Sequence, residues 1–306
     1  MAEASIPVDL FNPGQVFACL GFMEAADILL GDVEGGFDWS DAAQVRFLLK
    51  TSGEQNPFAV ILEFLAKARV LSQSAAGSSL ATEGWDVPTE RLRDGAPFPF
   101  PNPESPATLP ALLEGPCPGD PTHTCRLAID YWGDATQRDT VKFWGGAGGY
   151  PGAALARDAI ELVRGRCRDA VSEPFAVSAE QSSSFRFDWR RDYIPIDIGF
   201  SLNSHKGSAE ISAVGFPIVE VLAAVGLTNA RPQRLRVLEY EYGVIGSRDT
   251  AGSPAETVLF APSLLRAALG GVAFPFARRV FRMRLGWPAK EGQARAITTV
   301  TEENTR

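Results

Sequence analysis

Histidine is nearly missing from this chain. Two in 306 residues, His123 and His205, leave almost nothing for a histidine-based nucleophilic or acid–base apparatus. Neither H-E-x-x-H nor an H-x-E zinc motif occurs. Carboxylates such as Asp188, Asp192 and Asp197 alternate with other side chains and read first as partners of arginine. No catalytic residue is assigned, and the expectation is a protein that is not an enzyme.

Cysteine is also scarce. Four residues are too few for a disulfide framework, and there is no C-x-x-C pair. Cys117, His123 and Cys125 lie close together, with Cys167 elsewhere, but C-x5-H-x-C is not a standard zinc spacing. Ordinary reduced cysteines are the alternative, and no metal or cofactor is expected. Long apolar runs are absent, since no uninterrupted stretch approaches the ~18 residues that cross a bilayer. The acidic start Met1-Ala2-Glu3-Ala4-Ser5 carries no apolar signal run. A cytoplasmic location with no membrane partner follows as the expectation.

Lysine is the next shortage. Five lysines stand against 24 arginines, and arginine forks phosphates and guanine edges and stacks on flat rings. A GC-rich genome would give the same bias. The net charge of −8 is unevenly spread. Residues 1–120 carry 17 acidic and 6 basic groups, a balance of −11, whereas 121–306 balance at +3. Within 226–296 there are 11 basic and 5 acidic groups, or +6, and local basic surface is what draws phosphate.

Hydrophobic and charged contents of 45% and 22% are those of a globular chain with room for one large core or two smaller ones. Residues 8–11 predict a short strand and 45–49 another. Asn12-Pro13 and Asn56-Pro57 each place a capping side chain before a proline at the first helical position, with apolar residues following at helical spacing. Gly31 closes the first of these helices. Nine prolines from 97 to 121 predict an extended insertion without a regular helix or central strand. A helix is expected over 153–163 and another over 217–225, stopped by Gly226. Alternation predicts strands over 185–193, 235–244 and 272–285, with a second apolar alternation through Ile194, Ile196, Ile198 and Phe200. The fold class is α+β, with mixed helices and largely antiparallel sheet. The divisions are an acidic N-terminal part (1–94), the proline-rich insertion or linker (95–121), a C-terminal part with basic strands (122–287), and a flexible tail (288–306).

Several stretches are candidates for binding. Lys142-Phe143-Trp144-Gly145-Gly146-Ala147-Gly148-Gly149-Tyr150-Pro151-Gly152 lets a backbone, phosphate or base approach closely, because its glycines carry no Cβ. No Lys-Ser or Lys-Thr follows, and Pro151 sits where the last glycine of G-x-G-x-x-G would fall. Lys142, Gly145, Gly146, Gly148 and Gly149 are therefore a backbone-approach loop rather than a nucleotide signature. Arg190 and Arg191 lie among Phe185, Phe187, Trp189 and Tyr193, a setting for stacking and phosphate pairing. The alternative there is rings in the core and arginines paired to Asp188 and Asp192. Asn203, His205 and Lys206 sit in a polar turn. Arg278, Arg282 and Arg284 share one face of a strand with no acid between residues 257 and 290. A phosphate ridge and an edge strand protected by charge both fit that row. Lys50, Ser52 and Asn56 precede a helix N-terminus, where a phosphate or a simple cap fits.

Three segments together resemble one family. They are Val8-Asp9-Leu10-Phe11-Asn12-Pro13-Gly14-Gln15 running into Ala18-Cys19-Leu20-Gly21-Phe22, the glycine-rich stretch from Lys142 to Gly152, and Arg190-Arg191-Asp192-Tyr193-Ile194-Pro195. The chain looks like the small large-subunit proteins of type I-U (also called I-G) CRISPR–Cas interference complexes, the Cascade assemblies. That resemblance implies a non-catalytic antiviral-defence subunit of a ribonucleoprotein complex. It would bind guide RNA and target double-stranded DNA and recognise the protospacer-adjacent motif. Its partners would be the Cascade backbone and handle-binding subunits and a separate helicase–nuclease. The alternatives are a nucleotide- or small-molecule-binding enzyme using the Gly145 to Gly152 loop, and a purely structural complex subunit.

Overall fold

The computed structural model describes residues 1–98, 103, 105–132, 150–181, 183–191, 214–247, 258–274, 278–286 and 295–303, without the side chains of Arg191 and Ser247. In chain order these form β1 (Ala2–Pro7), α1 (Pro13–Leu29), β2 (Glu34–Asp38), β3 (Arg46–Thr51), α2 (Pro57–Lys67), β4 (Arg69–Ser74) and β5 (Thr89–Arg91). Then come β6 (Ala111–Cys117), β7 (Asp120–Ile129), α3 (Gly152–Val163), β8 (Ala179–Glu180), β9 (Val214–Gly215) and α4 (Pro217–Asn229). The last are β10 (Gln233–Arg236), β11 (Glu239–Ser247), α5 (Pro262–Leu269), β12 (Arg278–Gly286) and β13 (Ala296–Glu303). The architecture is α+β.

One sheet has the order β1-β3-β2-β11-β12-β13, with β10 also paired to β11. It is antiparallel except where Gly246 and Ser247 run parallel to Phe37 and Asp38. A second sheet has the order β5-β4-β6-β7. Two helices bridge them: α1 touches β3 and β7, and α2 touches β1, β3 and β6. The seven-stranded sheet thus combines strands from both ends of the chain.

Both Asn-Pro starts form as the sequence dictates. The Asn12 side chain accepts from Gly14 N–H at 3.1 Å, and that of Asn56 from Phe58 N–H at 2.9 Å. Gly31 follows α1 with φ +70°, the left-handed conformation that glycine adopts without Cβ strain. Pro151, by contrast, caps α3 in an extended conformation, and Gly152 opens the helix. A Cβ on Gly152 would stand 2.8 Å from the Trp132 ring, so this glycine serves close packing.

Other expectations are corrected. The first strand ends at Pro7, because residues 8–11 turn: Asp9 Oδ1 accepts from Phe11 N–H and Asp9 O from Asn12 N–H. The proline-rich region holds a central strand, β6, between β4 and β7. Residues 111–115 are free of proline, and Pro116 falls beside a register shift where a missing N–H is tolerated. Residues 185–188 are not in a strand, and 189–191 form a 3-10 turn. Their alternation comes from packing, with Phe185 and Phe187 buried and ring-stacked. Ile194 to Phe200 lies outside the described residues.

Gly226 does not stop its helix but sits inside α4. Residues 235–244 are two strands, broken at Leu238 by a φ of +62°. The expected tail contains β13, paired to β12, with Ala296 and Ile297 buried. Cys117 and Cys125 form a disulfide across the β6–β7 hairpin, where reduced thiols had been expected. Two cysteines on adjacent strands suffice for one such bond, with no framework required.

Candidate nucleic-acid interface

The basic strand β12 lies in the sheet interior between β11 and β13, so it is not an edge protected by charge. Register then sets its neighbours. Arg284 is opposite Glu239 on β11 and Thr299 on β13, and Arg282 is opposite Glu241 and Thr301. Side chains alternate across a strand, so Arg278, Arg282 and Arg284 share a face with these acids and hydroxyls. Phe281, Met283 and Leu285 turn into the core.

Glu239 is the centre of this face. Its carboxylate meets Arg236 at 2.5 Å and Arg282 and Arg284 at 3.5 Å each. Hydrogen bonding from Arg236, then the charges of all three arginines, holds it below the usual carboxylate range. Glu239 is only 5% exposed, whereas the side chains of Arg236, Arg282 and Arg284 are 67%, 37% and 58% exposed. One buried carboxylate thus lies beneath two exposed guanidiniums, Arg236 and Arg284, and a half-buried one, Arg282, a local excess of two positive charges. Glu303 offsets part of it by pairing with Arg282 at 3.1 Å.

Arg278 is drawn off by Glu241 at 3.7 Å and is 13% exposed. It is the weakest of the three for contact with a ligand. Arg282 and Arg284, two residues apart, stand about 7 Å from each other along the strand. That is close to the step between successive phosphates on a nucleic-acid strand. Thr299 and Thr301 are exposed beside them and add hydroxyl donors. The absence of acids between residues 257 and 290 was a true reading of the chain. It could not show the acids that the sheet brings from β11 and β13. Arg236 was missed, although it lies in the same basic stretch.

Arg190 has partners within the fold. Its guanidinium grips the fully buried Asp188, with Nε 2.9 Å from Oδ1, and donates to Phe175 O at 2.8 Å. It also lies 3.4 Å over the Phe216 ring. Asp188 accepts from Asn12 Nδ2 at 2.9 Å as well, which ties this segment to the start of α1. Arg190 therefore has a structural partner, as in the internally paired alternative. The side chain of Arg191 lies outside the described residues, as do Asn203, His205 and Lys206 and the loop residues Lys142, Gly145, Gly146, Gly148 and Gly149.

Near α2, Lys50 pairs with Glu34 across the sheet at 3.3 Å. Asn56 spends its carbonyl oxygen on the helix cap, and Ser52 is exposed. These three do not converge with the β12 face, and the cap accounts for Asn56. The disulfide consumes the two thiolates that a Cys117/His123/Cys125 metal site would need, and His123 pairs with Asp120 at 2.7 Å. Among the described residues no group of three or more potential ligands is placed to hold a metal. None of their helices is long and apolar enough to cross a membrane. No family model, curated protein or solved structure matches the chain.

Proposed function

We propose that the chain is a non-catalytic large subunit of a type I CRISPR RNA-guided DNA surveillance complex. The family resemblance of the three segments supports this reading. The structural observation that supports it most is the Glu239 cluster, where exposed Arg236 and Arg284 and half-buried Arg282 surround one buried carboxylate. Arg236, Arg282 and Arg284 would track target-strand phosphates, with Thr299 and Thr301 beside them. Guide pairing would read the sequence, while the protein reads the short protospacer-adjacent motif and backbone shape. The acidic first part suits contact with the other subunits, and the complex would support recruitment of the helicase–nuclease in the cytoplasm.

The test is Arg282→Ala with Arg284→Ala in the assembled complex. Loss of two phosphate contacts should weaken duplex binding uniformly across sequences and reduce the salt slope by about 2. An assembly that does not copurify with guide RNA overturns the reading outright. A second reading, a purely structural subunit, is favoured by the pairing of Arg190 with Asp188 and of Arg279 with Glu302. In that case the double variant would lose stability and leave DNA affinity and its salt slope unchanged.

A further inference from the structure

A cavity of about 600 Å3 opens between the β1–α1 turn, the start of β3 and the turn around Phe175. That volume is in the range of sites that hold a ligand group. Asp9, Gln15, Arg46, Glu173, Phe175 and Arg190 contribute to its wall. None of the charged residues among them, Arg190 apart, has an ion-pair partner within 4 Å among the described residues. Arg46 spends Nε and one terminal nitrogen on Ser5 Oγ and Ser5 O, at 2.8 and 3.0 Å, and keeps the other terminal nitrogen uncommitted.

Gln15 also faces this cavity. It is 6% exposed, and its Oε1 accepts from Asp9 N–H at 2.8 Å. Its Nε2 has no partner among the described residues and remains accessible beside the cavity that Gln15 lines. An amide donor that faces the cavity and has no protein acceptor is available to an accepting group of an occupant.

The charge of the wall selects the occupant. Arg190 is neutralised by Asp188, which among the described residues of the wall leaves Arg46 against Asp9 and Glu173, a balance of −1. The whole N-terminal stretch is acidic. A phosphate would be repelled, whereas a cationic head accompanied by carbonyl acceptors satisfies both sets of groups. Buried Phe175 gives an apolar wall for an aliphatic stem. We propose that this cavity docks an extended segment of a protein partner, with an arginine or lysine head on Asp9 and Glu173 and a main-chain carbonyl on Gln15 Nε2 and Arg46. The proposal rests on the complex-subunit reading only in supposing a protein partner.

The test uses the full chain and a short dye-labelled peptide containing two arginines, followed by fluorescence anisotropy. Saturable binding with Kd near or below ~0.1 mM is expected at low salt. Glu173→Gln, at an exposed turn, and Gln15→Leu should each weaken it about tenfold. The same peptide with glutamates should not bind. No saturation by about 1 mM overturns the proposal, as does binding indifferent to Glu173→Gln. Equal affinity for free arginine or AMP overturns the partner segment as occupant. Arg282→Ala with Arg284→Ala should leave peptide binding intact, so this proposal and the DNA-binding reading fail separately.

Discussion

Gly21 of α1 and Gly226 of α4 face each other where the two helices cross. A Cβ on Gly226 would stand 2.7 Å from Gly21 N and overlap Phe17 O, and one on Gly21 would overlap Leu222 O. The obstructing atoms are backbone, so the helices themselves would have to separate. Both helices are buried along most of their length. Gly226→Ala should therefore cost at least about 2–3 kcal/mol, despite the better helix propensity of alanine. A thermal melt that matches or exceeds wild type would show that the helices do not meet this closely.

Arg190→Ala should act on stability before it acts on DNA. It strips the fully buried Asp188 of its cation, leaving a carboxylate with only neutral donors. The expected loss is on the order of 3 kcal/mol. Urea denaturation measures it, and an unchanged midpoint would contradict the buried pair. Asp188→Asn combined with Arg190→Ala should recover part of the loss, because the uncompensated charge is gone.

Asp130 gives stability a pH dependence of unusual sign. Burial, the largest influence, pushes its carboxyl up to about 6 against the opposing pull of Arg231 and the Thr228 hydroxyl. In the unfolded chain the value is about 3.9. Between pH ~4 and ~6 the folded protein holds a proton that the unfolded chain has lost, so this contribution to stability falls as pH rises. Above pH ~6 the full penalty is present. Allowing for screening of a half-buried group, Asp130→Asn should stabilise by about 1 kcal/mol at pH 7 and by almost nothing near pH 4. Denaturation midpoints at both values check this, and a difference of equal size at each would refute it.

Glu239→Gln should unmask the β12 face. Its carboxylate answers three guanidiniums, and a neutral amide in its place leaves that charge for an incoming phosphate. Affinity for duplex DNA should rise and the salt slope should steepen by about 1. A salt series of binding isotherms is the measurement. Weaker binding by a folded variant would mean that Glu239 orients the arginines rather than masking them.

Much of the secondary structure was legible because its causes are local. Asn12-Pro13 and Asn56-Pro57 carry their caps and first turns within a few residues, and β3 announces itself in its own apolar run. Gly226 misled because glycine inside a helix and glycine after one look alike in sequence; only the partner α1 distinguishes them. The alternation at 185–188 misled for a similar reason, since packing against Tyr131 and Trp132 produces the same in-and-out pattern as a strand.

The sequence by itself determined the α+β class, the starts of α1 and α2, the shortage of histidine and the basic bias of the second half. The tertiary structure decided which charges remain exposed. Arg190 and Arg284 are indistinguishable as residues and each meets a buried carboxylate, yet Arg190 has Asp188 as its own close partner while Arg284 is more exposed and shares Glu239 with two other arginines. The difference lies in long-range placement. Sheet register brings Glu239 under β12 and folding brings Asp188 to the start of α1, and neither distance is written in the local sequence.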